Sequence, residues 1–197
     1  MTAYDERLDA LLNAAAQVFA DKGYHPTTMR DLARATGMSL AGMYYYVRSK
    51  EDLLALVLDR CLERVLAGAT ARVAAATDPA DRLRGFIEHH VAFFTRHMPE
   101  MKVLSHEAGS LTGQRGRALR ANQRAYAGLL EEIVTEVAPD LPPAERRVAV
   151  YALFGMMNWI YTWYRPDGPV GPAELAELVS HQALGGVQAL APAGGTR

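Results

Sequence analysis

The side chains best placed to bind another molecule sit in GMSLAGMYYYVRSK, residues 37–50. Tyrosine hydroxyls donate to phosphate oxygens, aliphatic groups meet the methyl of thymine, and a lysine at a helix start gathers an anion. The local charge suits that chemistry. Between residues 22 and 50 the cations Lys22, Arg30, Arg34, Arg48 and Lys50 face one carboxylate, Asp31, although the whole chain carries a net charge of −1. A basic end on a near-neutral chain fits a nucleic-acid reader of small footprint. Catalysis has no comparable pattern. His89 and His90 are neighbours whose side chains diverge by about 100° on a helix, no His-x-x-x-His pair occurs, and Cys61 is the single cysteine. No glycine-rich loop follows a strand, so no enzymatic activity, metal or cofactor is expected. A helical lyase-like enzyme using His90 is the remaining catalytic alternative.

On a helical projection of residues 38–47, Met43, Val47 and Tyr46 share one face, and Leu40, Ala41, Tyr44 and Tyr45 share the other. Tyr46 therefore belongs to a core. Tyr44 and Tyr45 either cover a small domain or project from it, and the capped, glycine-turned context favours projection. The preceding run, TTMRDLARATG, offers a cap at Thr28 with Asp31 reaching back, a small residue at Ala33 and a turn glycine at Gly37, after which Ser39 caps the next helix. That spacing is a helix-turn-helix, whose second helix enters the major groove.

The elements that hold this stretch read as helical throughout, so the expected class is all-α. Helices are predicted over 5–22, from Thr28 to Gly37, a short one after Ser39, and a long one from the Ser49/Asp52 cap to about 75. Further helices are predicted over 79–98, 99–108, 117–138, 143–165 and 172–190, and APAGGTR closes the chain as a frayed tail. The expected division is a DNA-binding domain over 1–50 and a ligand-binding and dimerisation domain over 51–197. The run VAVYALFGMMNWIYTWY, residues 148–164, is only as long as the shortest membrane spans and contains Gly155, Asn158 and Thr162. A buried helix is the better reading, with no membrane partner. The charged N-terminal run MTAYDERLDALL does not resemble a secretion signal, and a lone cysteine, read as a structural thiol, suits a reducing cytoplasm.

Residues 27–54, TTMRDLARATGMSLAGMYYYVRSKEDLL, resemble the DNA-binding domain of TetR-family transcriptional regulators. The resemblance implies a homodimer on a palindromic double-stranded DNA operator. By it, Tyr44 and Lys50 would hold phosphates, Thr27 and Thr28 would contact backbone at the start of the second helix, and Leu40, Ala41 and Tyr45 would face bases, beside the Ser39 cap. The chain departs from the pattern at Val47, usually phenylalanine, and at Ala41, often glycine. Val47 only shrinks the core, whereas Leu40 and Ala41 leave the operator sequence open.

In the larger half, Leu83, Phe86, Ile87, His90, Val91, Phe94 and Met98 form one stripe, and Leu119, Asn122, Gln123, Tyr126, Leu130, Ile133 and Val137 another. His90, Asn122 and Gln123 are either satisfied core residues or the polar points of a ligand cavity. Met101, Leu104, Met156, Met157 and Trp159 would add apolar lining. The apolar helix at 148–164 needs two burying surfaces, one of them a second subunit. With the last helix, bearing Leu175, Leu178, Val179, Gln182, Gly186 and Leu190, it would form an intermolecular four-helix bundle, Gly155, Gly185 and Gly186 permitting close approach. A monomer whose final helices close the core is the alternative.

Residues 153–169, LFGMMNWIYTWYRPDGP, are similar to the C-terminal helix of TetR-type regulators of fatty-acid, phenylacetate and steroid-ring degradation, where an N-W-x-Y-x-W-Y-R-P-[DE]-G run is common and the inducer is an acyl-CoA. If that carries over, the acyl chain lies among the apolar stripes. Trp163, Arg165, Arg115, Arg117, Arg120 and Arg124 are then candidates for the nucleotide end, while a solvated arginine face and a helix-capping Arg165 stay open. A hydrophobic, drug-like inducer without CoA is the second possibility. The overall expectation is a cytoplasmic, homodimeric, one-component repressor released by a hydrophobic small-molecule effector.

Overall fold

A computed structural model describes residues 2–190, and the tail at 191–197 lies outside the described residues. The described residues form the helices α1 (Ala3–Lys22), α2 (Met29–Thr36), α3 (Leu40–Tyr46), α4 (Lys50–Ala74), α5 (Pro79–Arg96), α6 (Met98–Glu107), α7 (Gly113–Val137), α8 (Pro143–Asn158) and α9 (Pro172–Leu190). Short 3-10 turns occupy Ala108–Ser110 and Ile160–Thr162, and no strand occurs among these residues. No described helix is long and apolar enough to cross a membrane.

The chain divides into two compact units. The first runs to Glu63 and takes in His97–Ala121; the second comprises Arg64–Arg96 and the residues from Asn122 on. In the first unit α1 packs against α2 and α6. Its core is built from Leu11, Leu12, Ala15, Ala16 and Phe19 of α1 with Leu32, Met43 and Val47, all buried, and Leu53, Leu54, Val57 and Leu58 of α4. Leu32 is wholly enclosed, so shortening it to alanine costs about 2–5 kcal/mol. Cys61 Sγ lies 3.6 Å from Met101 Sδ, a buried contact between soft groups. In the second unit α5 packs against α9 and α8, and α8 also meets α9.

Caps explain where the short helices begin and end. Thr28 and Asp31 close a reciprocal box at the start of α2, and Gly37, at φ 66°, lets the chain turn out of it. Ser39 Oγ accepts from the amide of Gly42 at 3.0 Å. At α4, Ser49 Oγ accepts from the Asp52 amide at 3.0 Å, but the Asp52 carboxylate reaches the amide of Arg48 at 2.8 Å, one residue beyond the expected partner.

Three of the boundaries that differ from the sequence-based expectation have a local cause. α1 starts at Ala3 because Thr2 and Asp5 form their own capping box. α7 starts at Gly113, whose φ of 58° turns the chain into the helix, with the Gly116 amide donating to Thr112 O. α8 stops at Asn158 instead of running to 165. There the Thr162 amide and hydroxyl both donate to Trp159 O, at 3.1 and 2.7 Å, which tightens the backbone into a 3-10 turn.

Candidate nucleic-acid interface and effector site

α3 presents the projected face. Leu40, Tyr44 and Tyr45 are 37%, 52% and 74% exposed, and Ala41 is exposed beside them, while Met43 is fully enclosed and Val47 nearly so. A helix of seven residues buries its core side with only these and Tyr46, which is half-buried, so its outer aromatics have nothing in their own unit to cover them. Tyr45 is nevertheless oriented: its ring lies 5.1 Å from Tyr46 and 6.1 Å from Tyr4, and Tyr4 sits 5.0 Å from Tyr46. A surface hollow of about 480 Å³ beside them is lined by Ala3, Tyr4, Arg7, Met38, Gly42, Tyr45 and Tyr46. Tyr4 and Arg7 were not among the predicted contacts. The signal for them was the T-x-x-D cap at residues 2–5, which extends α1 far enough to reach α3.

Two residues predicted to contact DNA have partners within the protein. Thr27 is 1% exposed, and its hydroxyl donates to Gly23 O at 2.6 Å, so it holds the α1–α2 loop from within and offers nothing to a phosphate. Lys50 folds back over the Tyr24 ring, 4.4 Å from its centre, and donates to the carbonyls of Tyr24, His25 and Thr27 at 2.8, 3.1 and 2.8 Å. All three ammonium hydrogens thereby have protein partners. Thr28 is exposed at the head of α2, its hydroxyl donating to Asp31 at 2.7 Å and accepting from the Asp31 amide at 3.2 Å. Lys22 also binds Asp31, at 2.7 Å. That ammonium, followed by the Thr28 hydroxyl and amide, holds the Asp31 carboxyl well below the usual carboxylate range. Arg30, Arg34 and Arg48 remain exposed in the same region, and Arg115 pairs with Asp52 at the head of α4.

The second unit contains a buried aromatic cluster at its centre. The Tyr126 ring of α7 stacks on Phe86 of α5 at 5.0 Å and on His90 at 5.9 Å, and Phe154 of α8 lies 5.5 Å from Tyr126. Phe94 lies 6.1 Å from His90 and stacks on Tyr161 at 6.4 Å. His90 is 1% exposed; its Nδ1 is 2.9 Å from the Tyr126 hydroxyl, and its Nε2 has no hydrogen-bond partner. Burial drives the His90 pKa down to about 4, the nearby Asn158 side chain opposing this in part and His89 adding to it. The ring is neutral at physiological pH.

Of the predicted effector residues, Phe86, His90, Phe94, Tyr126 and Leu130 are buried in this unit, with Asn122 and Gln123 half-buried about one turn before Tyr126. Met101 and Leu104 are buried in the first unit. The α8 residues are divided by helical phase. Phe154 and Asn158 of α8, at i and i+4, and Tyr161 of the following 3-10 turn lie on the side of the cluster, whereas Met156 of α8 falls on the opposite side and Trp159 and Trp163, beyond its end, face away. Trp159 and Trp163 are accordingly 59% and 56% exposed, and Arg165 is exposed too. Phe154, Asn158 and Tyr161 were missed, although their spacing was readable. The predicted α9 stripe is divided as well: Leu175 and Val179 are buried, while Leu178 and Leu190 are 50% and 48% exposed.

Comparison with known proteins identifies the family. Residues 11–57 match the family described as bacterial regulatory proteins, tetR family, and residues 76–187 match the tetracyclin repressor-like C-terminal domain. The transcriptional activator FasR of Mycolicibacterium smegmatis is 38% identical over 93% of this chain and 84% of its own length. The transcriptional repressor KstR2 of the same species is 29% identical over 92% of this chain and 90% of its own. A crystal structure of AibR in complex with isovaleryl coenzyme A and operator DNA superimposes with a TM-score of 0.78 at 29% identity, covering 91% of this chain and 96% of that one. The chain therefore belongs to the TetR family of transcriptional regulators, whose members regulate transcription and are not enzymes.

Proposed function

We propose that this regulator is a cytoplasmic repressor that binds a palindromic operator as a homodimer and is released by an acyl-CoA. The observation that carries the operator reading is the exposed Leu40, Ala41, Tyr44 and Tyr45 face of α3. In this arrangement Leu40, Ala41 and Tyr45 meet base edges and Tyr44 meets a phosphate, while Ser39 and Thr28 hold the helix starts that aim them. Two copies present two such faces at half-sites about 34–36 Å apart, or slightly more.

The dimer reading rests on the outer faces of the last two helices. Val148 and Tyr151 on α8 and Trp159 at its C-terminal end are 69%, 57% and 59% exposed, with Gly155 between them, and Leu178, Gly185, Gly186 and Leu190 line the open side of α9. Apolar side chains on two adjacent helices are costly in water and match a second copy of themselves. The effector reading rests on the aromatic cluster around His90 and on the likeness to AibR, which was crystallised with isovaleryl coenzyme A and operator DNA. Release requires the acyl-CoA to bind the DNA-incompetent arrangement more tightly than the competent one, since equal affinity shifts nothing.

Fluorescence anisotropy of a labelled fragment from upstream of the protein's own gene, titrated with protein and then with acyl-CoAs of graded chain length, tests this. Saturable binding followed by release with acyl-CoA, but not with free CoA or free acid, is the expected outcome. Binding without release would discard the inducer and keep the regulator; tighter binding on adding acyl-CoA would discard release.

A further inference from the structure

Within the second unit the ring cluster has one polar feature that its own structure leaves unused. His90 is 1% exposed, and its Nδ1 pairs with the Tyr126 hydroxyl at 2.9 Å, yet its Nε2 makes no formed hydrogen bond, although the Asn158 side chain lies within reach of the ring. A buried polar atom without a partner is costly, and native proteins seldom retain one without a use. The groups around it are uncharged: Phe86, Phe94, Tyr126 and Phe154 surround the ring, the Asn158 side chain of α8 is within hydrogen-bonding reach of it, and the Nε2–H of the neighbouring His89 donates to Val65 O at 3.1 Å. Phe154 and Tyr161 are partly exposed and form the outer edge of the cluster.

We propose that His90 Nε2–H is the anchor for the effector's carbonyl, donating a hydrogen bond to the uncharged oxygen of an acyl thioester whose hydrocarbon lies along Phe86, Phe94, Phe154 and Tyr161. This rests on the acyl-CoA reading above and adds which atom of the ligand is recognised. Tyr126 is the positioning residue. When its hydroxyl donates to Nδ1, the ring proton sits on Nε2, where it faces the ligand. A free carboxylate entering the same place would give up its water for a neutral donor with no cation beside it, so the site favours thioester over acid. A thioether, with the same chain and nucleotide but no carbonyl, leaves Nε2–H without a partner and loses the contact.

The test is calorimetric titration of the full-length protein with matched pairs of acyl-CoA and S-alkyl-CoA of short, medium and long chain, and with the corresponding free acids. In the wild type the thioester should bind about tenfold or more tightly than the thioether. In His90→Leu that preference should collapse to near unity while S-alkyl-CoA affinity changes little. Tyr126→Phe, which keeps the stacked ring, should reduce the preference partway. Equal affinity of the wild-type protein for thioester and thioether overturns the anchor and leaves the acyl-CoA assignment standing, as does an undiminished preference in His90→Leu. If neither class of CoA derivative binds at any chain length, the acyl-CoA assignment falls and the anchor falls with it. The wild-type comparison decides the matter even if a variant does not fold.

Discussion

The head of the first unit and the centre of the second treat polar groups in opposite ways. Around α2, α3 and the start of α4, hydroxyls, carboxylates and the Lys50 ammonium are paired over short sequence distances or with nearby loop carbonyls, and what remains outside is the tyrosine face. Around α5, α7 and α8, most of the rings are enclosed, but Nε2 of His90 makes no formed hydrogen bond, with the Asn158 side chain in reach of the ring. A reader benefits from a rigid scaffold whose polar groups are satisfied before DNA arrives. A sensor needs a vacancy in its hydrogen bonding that only the right ligand fills, and it accepts lower stability in return.

The comparison is most strongly tested at Lys50. Replacing it with methionine removes three charge-assisted hydrogen bonds from the α1–α2 loop and should lower stability by about 2–4 kcal/mol. Urea denaturation measures that loss. If Lys50 were instead a phosphate ligand, stability would stay level and the slope of log K against log salt would fall by about one.

His90 should give the next largest effect, as a pH dependence. The unfolded imidazole takes a proton as pH falls through 6.5, whereas the folded ring does so only at about 4. Between those values the unfolded chain binds more protons, so stability falls as pH is lowered from 6.5 toward 4 and is unaffected above that window. The loss from this residue reaches about 3 kcal/mol at the acid end. Thermal melts of His90→Leu should show a shallower decline over the window. A decline as steep as the wild type's would mean that the ring is paired and accessible, erasing the contrast between the two regions.

Smaller effects probe the reader. Thr28→Ala removes one half of the cap on α2 and should cost about 1 kcal/mol in urea denaturation. Tyr44→Phe should leave stability unchanged and weaken operator binding by about 1 kcal/mol, read by anisotropy. Unchanged affinity would show that the exposed hydroxyl holds no phosphate and would move the contact to the remainder of α3.

The sequence disclosed the reader more fully than the sensor, for a physical reason. α2 and α3 are bounded by Thr28, Asp31, Gly37 and Ser39, all signals that act within four residues, and Tyr44 and Tyr45 follow from helical phase alone. The internal pairing of Lys50 was not foreseen, because its long stem allows its amine to reach carbonyls 23 to 26 residues earlier, a pairing set by tertiary placement. The end of α8 at Asn158 was hidden because no proline or glycine interrupts the apolar run there, and a threonine hydroxyl competing for a carbonyl decides it. His90, Phe86 and Phe94 were legible from the α5 stripe. Their partners Phe154, Asn158 and Tyr161 were missed, since aromatic type pointed to Trp159 and Trp163 while the side that faces α5 belongs to the other three. Residue type alone could not decide between the two faces of a helix that is apolar on both.

The central claim is that reading and sensing reside in separate sets of side chains, and one paired experiment addresses it directly. Operator binding and acyl-CoA-driven release are measured by anisotropy for the wild type, Tyr44→Phe and His90→Leu. Tyr44→Phe should bind operator more weakly and still be released at the wild-type acyl-CoA concentration, whereas His90→Leu should bind operator as the wild type does and require about tenfold more acyl-CoA for release. If His90→Leu instead loses operator binding and responds to acyl-CoA as the wild type does, the division of labour drawn here is contradicted.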